Sequence, residues 1–413
     1  MRKGHSRFAA IIILVATLLP ASSWAQLNLG QYEDEAPFRT WNTFGIPTAP
    51  SLGMGEARFA LAHDPSAALT NPALLTSLHS SSITINGSYS TASFNKYSIV
   101  NTGVLYTQGN SSIGVYTLDF AGLSATFKGW ALGLSVGLLE QYDRPSHKPG
   151  YEYQGQIAYT IDLRQDGILR NYNISLARKF FGRLAFGIGI NFISGFMEKN
   201  IEENYLYEDV IITDFKKNDF KGLYINGGIA VDVTDRLTAA AIFRTPYSKE
   251  AKSRSSLRYY IPGGNTDIEI NAAATNIYKQ PLVLGVGFDY RLSEVFRVAS
   301  DVSFFNWSSY SVEYYGEDLE RTFRNIIKFG GGLEYLSSLN IFGQDVLVPL
   351  RVGMSYDPQP MKEPSSHYLY YTIGIGFYWR GLRLDTGTFF GNEKGSGQDL
   401  FARRFSVSLS YSL

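Results

Sequence analysis

The chain has 413 residues without a single Cys, which excludes a disulfide framework, a thiolate nucleophile and a Cys-based metal site. Its 37 Lys and Arg residues balance 37 Asp and Glu residues, so it lacks the basic field that nucleic-acid binding uses. Abundant Tyr, Phe and Gly favour strands over helices.

Residues 1–25 have the pattern of a secretory signal peptide. The basic residues Arg2 and Lys3 precede an apolar run and a small-residue site that ends at Ala25. The apolar run has about twelve residues, which is short of the roughly 20 that a helix needs to span a bilayer. We therefore predict export, with the mature chain starting at residue 26.

Residues 26–80 lack the alternation of a membrane strand and contain several Pro residues. They include the runs GMGEAR at 53–58, ALAHDPSAA at 60–68 and NPALL at 71–75. From the residues alone, a surface linker with a turn at Asn71-Pro72 is the plain interpretation.

From residue 81 to 413, aliphatic or aromatic residues alternate with Gly, Ser, Asn or charged residues, most clearly in 184–192 and 404–413. A soluble β-sandwich alternates too. The export signal, the Gly-rich polar side and aromatic residues near segment ends favour a membrane barrel. The aromatic residues that we place at the bilayer interfaces are Tyr335, Tyr356, Tyr378, Trp379 and Tyr411.

The predicted fold is all-β: a transmembrane antiparallel β-barrel in the lipid bilayer of a bacterial outer membrane. At roughly 10 residues per strand plus turns, residues 81–413 suit about 14 strands, with 12 or 16 as alternatives. We predict long polar connections at 142–155, 198–221 and 249–279, and expect them to face outward.

The second of these connections is unusually apolar for an exposed segment. This connection either packs over the outer end of the barrel or binds an apolar ligand there, and both interpretations stay open. Its apolar residues are Ile201, Tyr205, Leu206, Tyr207, Val210, Ile211 and Ile212.

The runs in residues 26–80 resemble the N-terminal hatch of the FadL family of outer-membrane transporters for long-chain fatty acids and other hydrophobic compounds. Downstream, KFGGGLEY at 328–335 and LRVGMSYDPQP at 350–360 resemble that family's pattern in the same order. The resemblance implies a 14-stranded barrel with residues 26–80 as a hatch, or plug, in the lumen. The hatch motif residues that it identifies are Asp64, Asn71, Pro72 and Ala73.

The same resemblance implies passive transport: outer loops capture a hydrophobic or amphipathic, fatty acid-like molecule, which passes through the plugged lumen and leaves sideways through the wall. The family also includes secretion accessories. An outer-membrane structural or secretion accessory that binds a partner protein is therefore the alternative function.

Inward charges are the remaining candidates for a site. They either solvate a wet lumen, or contact the hatch, or hold a ligand head group, for which Arg351 or Arg383 could supply a cation. The candidates are Asp301, Glu334, Arg351, Asp357, Arg383 and Asp385.

Enzyme chemistry has little support in the sequence. The run GLSVG at 133–137 matches the nucleophile-elbow pattern, but Ser135 alternates with apolar residues as in a strand, and no helix follows. The His residues lack metal-ligand spacing, and no Gly-rich loop leads into a helix to hold a phosphate. We therefore predict no catalysis, no metal and no cofactor.

Overall fold

The computed structural model describes most of the chain after residue 44. The predicted signal peptide and residues 26–44 of the predicted hatch lie outside the described residues. The described residues are 45, 47–78, 80–93, 104–107, 113–147, 150–153, 156–206, 209–264, 266–314, 316–319, 323–341, 343–363, 365–395 and 401–413.

Strands form a closed antiparallel barrel, and helices are short. The helices of the described residues are α1 (Ala49–Gly53), α2 (Ala67–Thr70) and two 3-10 helices (Pro72–Ser77 and Trp307–Ser309). The strands are β1 (Ser82–Ser93), β2 (Val104–Thr107), β3 (Ile113–Phe127), β4 (Trp130–Gln141), β5 (Arg144–His147), β6 (Gly150–Tyr153), β7 (Gln156–Phe180), β8 (Leu184–Tyr205), β9 (Val210–Asp232), β10 (Leu237–Arg244), β11 (Tyr247–Tyr260), β12 (Asp267–Gln280), β13 (Val283–Arg291), β14 (Phe296–Phe305), β15 (Ser311–Tyr314), β16 (Glu317–Leu319), β17 (Ile326–Ile341), β18 (Gln344–Pro358), β19 (His367–Trp379), β20 (Leu382–Lys394) and β21 (Phe401–Ser412).

Fourteen strands make the wall, as predicted. Their order around the barrel is β1, β3, β4, β7, β8, β9, β10 with β11, β13 with β12, β14 with β15, β17, β18, β19, β20 and β21. β1 pairs with β21 from Ser82 opposite Ser412 to Ser93 opposite Phe401, which closes the sheet. Closure leaves no unpaired edge, and this is what a bilayer requires of a sheet.

The alternation of each strand separates an apolar outside from a polar inside. On β21, Val407 and Leu409 are exposed on the outer face, whereas Ser406 and Ser408 are buried. On β8, Ile188 is exposed and Asn191 is buried in the same way. The apolar side therefore faces away from the interior, which confirms the barrel and excludes a sandwich with an apolar core.

Short and long connections lie at opposite ends of the barrel. Connections of two to four residues join β3 to β4, β7 to β8, β9 to β10, β13 to β14, β17 to β18, and β19 to β20, and we call this the turn end. The other end, the loop end, carries the longer connections and also the four-residue connection between β8 and β9.

Two of the three predicted long connections are wrong. Residues 198–221 and 249–279 belong mainly to β8, β9, β11 and β12, which extend toward the loop end. Of these strands, β8, β9 and β11 carry charge on both faces there, so they lack the apolar side by which a strand is recognised from sequence. With 25 residues, β7 far exceeds the roughly 9–11 that cross a bilayer.

Two wall strands are interrupted where Pro removes a backbone donor from the ladder. Pro246 separates β10 from β11, and Pro281 separates β12 from β13. The Thr245 hydroxyl accepts a hydrogen bond from the backbone N–H of Ile225 at 3.1 Å, which partly replaces the missing ladder contact.

Residues 47–78, which we call the inner segment, are buried against inward-facing residues of the wall. Helix α1 contacts β18 to β21, and the 3-10 helix Pro72–Ser77 contacts β4, β7, β8 and β9. These two groups of strands lie on opposite sides of the barrel. Among the described residues, no helix is long and apolar enough to cross a bilayer.

Candidate functional site

The inner segment is attached to the wall by an inward carboxylate. Oδ2 of Asp301 on β14 accepts the backbone N–H of Arg58 at 2.6 Å and that of Phe59 at 2.9 Å. On β19, the Thr372 hydroxyl accepts from the Gly55 N–H at 3.0 Å and donates to the Gly53 carbonyl at 3.1 Å. The wall thus provides hydrogen-bond partners for the carbonyl group at the end of α1 and for backbone N–H groups of the turn that follows it.

The predicted hatch motif residues fix the turns of the inner segment. Asp64 accepts hydrogen bonds from the Thr48 hydroxyl at 2.7 Å and from the Ser66 N–H at 2.8 Å. Asn71 accepts from the Ala73 N–H at 3.2 Å, which caps the 3-10 helix that starts at Pro72.

Asn71 also connects this helix to the rest of the segment. Its amide donates to the carbonyl oxygen of Phe59 at 2.7 Å. The residue is completely buried, so replacing its amide would leave a carbonyl and an N–H without partners.

Inward glycines provide the room that the inner segment occupies. A Cβ added to Gly332 would lie 2.7 Å from Cα of Met54, and one added to Gly374 would lie 3.1 Å from Cα of Gly53. Side chains at these wall positions would therefore collide with the backbone of the inner segment. This explains the Gly-rich polar side of the strands.

Beneath the inner segment, toward the turn end, lies a buried charged cluster centred on Arg351. Its guanidinium donates to Glu334 at 2.8 Å, to Asp385 at 2.7 Å and to the hydroxyl of Tyr378 at 2.6 Å. The Arg351 side chain is 0% exposed. Because its donors already meet two carboxylates, the geometry fits a crosslink between wall strands better than a site for a ligand carboxylate.

The other predicted lumen charges also have partners within the protein. Arg383 donates to the carbonyl oxygen of His63 in the inner segment at 3.0 Å. Asp357 forms an ion pair with Lys328 of the neighbouring β17. Two of the six predicted charges, Asp301 and Arg383, thus contact the inner segment directly.

A polar cavity of about 550 Å³ lies between the inner segment and the turn end. His63 lines it beside Arg297 and Arg383. Burial lowers the pKa of His63 well below its usual range, and the positive charges of Arg351, Arg297 and Arg383 lower it further. His63 is therefore neutral at physiological pH.

On the loop-end side of the inner segment, apolar and aromatic side chains fill the interior. We call this set the lumen cluster, and it reaches the inner segment through Phe59. Its members are Phe59, Tyr142, Leu169, Ile193, Met197, Phe220, Tyr224, Ile242, Ala251, Tyr278, Val283, Phe305, Trp307, Tyr310, Val312, Phe323 and Ile326. A wet porin interior is polar, whereas this part of the lumen is apolar.

An ion pair crosses the lumen within this apolar surrounding. Nζ of Lys249 on β11 lies 3.1 and 3.0 Å from the two carboxylate oxygens of Glu140 on β4. Sequence reasoning missed both residues, although each is an inward polar position. The signal was weak because Lys249 lies in a stretch that was assigned to a connection.

The predicted apolar patch of the outer connection is spread along a hairpin. Ile201 and Tyr205 lie in β8, Val210, Ile211 and Ile212 lie in β9, and Tyr207 is outside the described residues. Leu206 at the turn is 57% exposed, whereas Val210 is 8% exposed. The patch thus has an exposed tip and a buried base, and its role stays a prediction.

Ser135 and Tyr378 do not lie in the structural contexts that their sequence patterns suggest. Ser135 lies in the middle of β4, without the strand-to-helix turn that a nucleophile elbow requires. Tyr378, which we placed at a bilayer interface, points inward to Arg351. Trp379 and Tyr411 are exposed on the outside, as expected of interfacial residues.

Together, the closed wall, the apolar exterior and the internal segment define a transmembrane β-barrel with an occupied interior. Solved structures share this fold. A FadL homologue of Pseudomonas aeruginosa has a TM-score of 0.63 at 17% identity over 89% of this chain and 99% of its own. The Ralstonia pickettii toluene transporter TbuX has 0.61 at 13% identity over 91% of this chain and 100% of its own.

The Pseudomonas putida toluene transporter TodX is similar as well, with a TM-score of 0.63 at 12% identity over 91% of this chain and 99% of its own. At the level of sequence, no family model matches the chain, and no curated protein matches it significantly. The chain therefore has the fold of the FadL homologue and of the toluene transporters, at low sequence identity.

Proposed function

We propose that this chain is a FadL-type transporter that carries hydrophobic small molecules passively across a bacterial outer membrane. The observation on which the proposal rests is the lumen cluster, because an apolar interior offers a path to molecules that water excludes. The similarity of the fold to a FadL homologue and to toluene transporters supports the same class of cargo.

In this proposal the inner segment is a hatch that prevents free diffusion. It contacts opposite sides of the wall, and its two α-helices are buried throughout. A molecule that enters at the loop end passes the lumen cluster and meets Phe59. Long-chain fatty acids and hydrocarbons are both candidate cargoes.

We further propose that the cargo leaves sideways, between the lumen and the bilayer, beside β8 and β9. An outer cavity of about 610 Å³ is lined there by the lipid-facing Ile188 and Ile229, and also by Gly187 and Gly228. Both glycines face inward, against Pro72 and Asn71 respectively. The wall has no side chain at these two positions, so it is thin where the inner segment contacts it.

Uptake measurements test the proposal. Cells that lack other transporters of this type are given radiolabelled toluene or palmitate, with and without the protein. We expect uptake of at least one of the two to depend on the protein. Equal uptake of both in its presence and absence would contradict the function.

The exposed hairpin tip at Leu206 is the observation that favours the alternative, an accessory that binds a partner protein. Extraction in a mild detergent distinguishes the two functions. Recovery of a stoichiometric partner, together with no effect of the protein on uptake, would support the accessory instead.

A further inference from the structure

The pair of Glu140 and Lys249 spans the interior of the barrel. Three wall strands, β7, β8 and β9, lie between β4, which carries Glu140, and β11, which carries Lys249. The Lys249 side chain is 1% exposed and that of Glu140 is 5% exposed. A molecule moving along this side of the lumen from the loop end to the inner segment therefore meets the pair.

Aromatic rings surround the lysine. Its Nζ lies 4.9 Å from the ring centre of Phe220, 5.3 Å from that of Tyr278 and 6.0 Å from that of Tyr142. The faces of such rings attract cations. Tyr142 also stacks on Phe220 at 5.6 Å and hydrogen-bonds to Glu140 through its hydroxyl.

A buried ion pair is a weak source of stability for the barrel. Burying an ion pair costs desolvation of both ions, and well-packed apolar residues in the same place are often as stable or more stable. The pair does set the local charge, however. The carboxylate of Glu140 already pairs with Lys249. In these surroundings of low dielectric, a second carboxylate would be repelled strongly by Glu140.

We propose that Glu140 makes this pair a charge filter, so that the lumen accepts uncharged apolar molecules and rejects those with an ionised carboxylate. The charge of Glu140 repels an incoming carboxylate, and Lys249 is already paired and does not attract it. A neutral apolar molecule binds through contacts with the surrounding aromatic rings alone. Selectivity of this kind comes from the repulsive element as much as from the attractive one. The inference rests on the proposed function and specifies its substrate class.

Quenching of tryptophan fluorescence tests the filter. Trp307 is 6% exposed and belongs to the lumen cluster, so brominated ligands that enter the cluster will quench it. The probes are 11-bromoundecanol and 11-bromoundecanoate at pH 8, added to the full barrel held in an amphipathic polymer. Trp307→Phe identifies the part of the signal that comes from the lumen.

For the unsubstituted protein we expect the bromoundecanoate to bind at least about tenfold more weakly than the alcohol. Glu140→Gln should reduce that difference by at least about tenfold, because it leaves Lys249 charged and available. Asp267→Asn is the matched control, since it removes a carboxylate from the exposed ion pair with Arg258. It should leave the difference unchanged.

A second variant covers the case in which Glu140→Gln does not fold. The double variant Glu140→Leu/Lys249→Met removes both charges, so it should bind the alcohol and discriminate less against bromoundecanoate, because the like charge of Glu140 is gone; an unchanged difference between the two probes would overturn the filter. Gel mobility before and after heating reports whether each barrel is folded.

The outcomes separate the inference from the proposed function. If neither probe quenches Trp307 in the unsubstituted protein, the transport function itself is contradicted. If the alcohol binds but Glu140→Gln does not improve bromoundecanoate binding, only the filter is overturned. Equal binding of both probes by the unsubstituted protein also overturns the filter, and Arg244 on the adjacent β10 then becomes the residue to test as the carboxylate partner.

Discussion

Asp301 holds the inner segment through one carboxylate oxygen that accepts two successive backbone N–H groups. A buried N–H without an acceptor costs about 1–3 kcal/mol. A single inward side chain can therefore decide whether the inner segment stays docked.

We predict that Asp301→Ala loosens the inner segment by roughly 2–4 kcal/mol, because it leaves the N–H groups of Arg58 and Phe59 without acceptors. Limited proteolysis of the folded barrel measures the effect as faster cleavage within residues 47–78. Ser303→Ala, which truncates the next inward position of the same strand, is the control. Equal cleavage rates in the two variants would argue against the role of Asp301.

His63 links the inner segment to the pH of its surroundings. Its pKa is lowered by burial and by the nearby arginines, so the folded protein binds no proton there while the unfolded chain binds one below about pH 6.5. The unfolded state then holds more protons than the folded state. The contribution of His63 to stability is thus lost as the pH falls below about 6.5.

We expect this histidine to make the protein up to about 1.4 kcal/mol less stable at pH 5.5 than at pH 7.5. Urea unfolding at the two pH values measures the difference. His63→Gln stays neutral at both, so it should show a smaller loss between them than the unsubstituted protein. Identical losses would mean that His63 does not titrate in this way.

The inward glycines of the wall strands and the backbone at the end of α1 pack closely against each other. Gly330 and Gly332 on β17 and Gly374 on β19 each leave a gap of one side chain, and the backbone of residues 53–55 fills it. Interiors are packed too closely to absorb an added branched side chain without movement. The position of α1 thus depends on residues far away in the sequence.

We predict that Gly332→Val displaces α1 from the wall. The chain has no Cys, so a single Leu52→Cys substitution gives an unambiguous probe of this helix. Leu52 is 0% exposed, and a polar maleimide should label it slowly in the original background and at least about tenfold faster with Gly332→Val. Leu333→Val, at the adjacent lipid-facing position, should not change the rate. Slow labelling in both variants would contradict the prediction.

The sequence predicted these elements unevenly, for physical reasons. Strands such as β21 were recognised because one face meets lipid and must be apolar. The loop-end parts of β8, β9 and β11 were missed because both faces of these strands carry charged residues there. The partners of Asp301 could not be foreseen either, since they are backbone groups that only the fold brings to it.

For the whole molecule, the number of strands followed from chain length divided by strand and turn length, and the closed 14-stranded wall confirms it. The candidate site was predicted only in part. Asp64, Asn71 and Asp301 were identified, whereas Glu140 and Lys249 were not, because a pair that crosses the lumen has no local signature in the sequence.

We predict that deletion of residues 47–78 converts the barrel into an open pore. Single-channel recording in a planar bilayer should show large steady currents for the deletion variant and small ones for the full chain. Circular dichroism and gel mobility before and after heating establish that the shortened barrel still folds. If a folded deletion variant conducts no better than the full chain, the inner segment does not close the lumen.

The seam between β1 and β21 joins residue 82 to residue 412, so the wall closes only when the last strand reaches the first. The inner segment precedes all wall strands, yet α1 lies against the final ones. Contacts this distant in sequence form slowly during folding. Assembly must therefore keep the inner segment in place before the seam forms, because a finished barrel would admit it only through a narrow end.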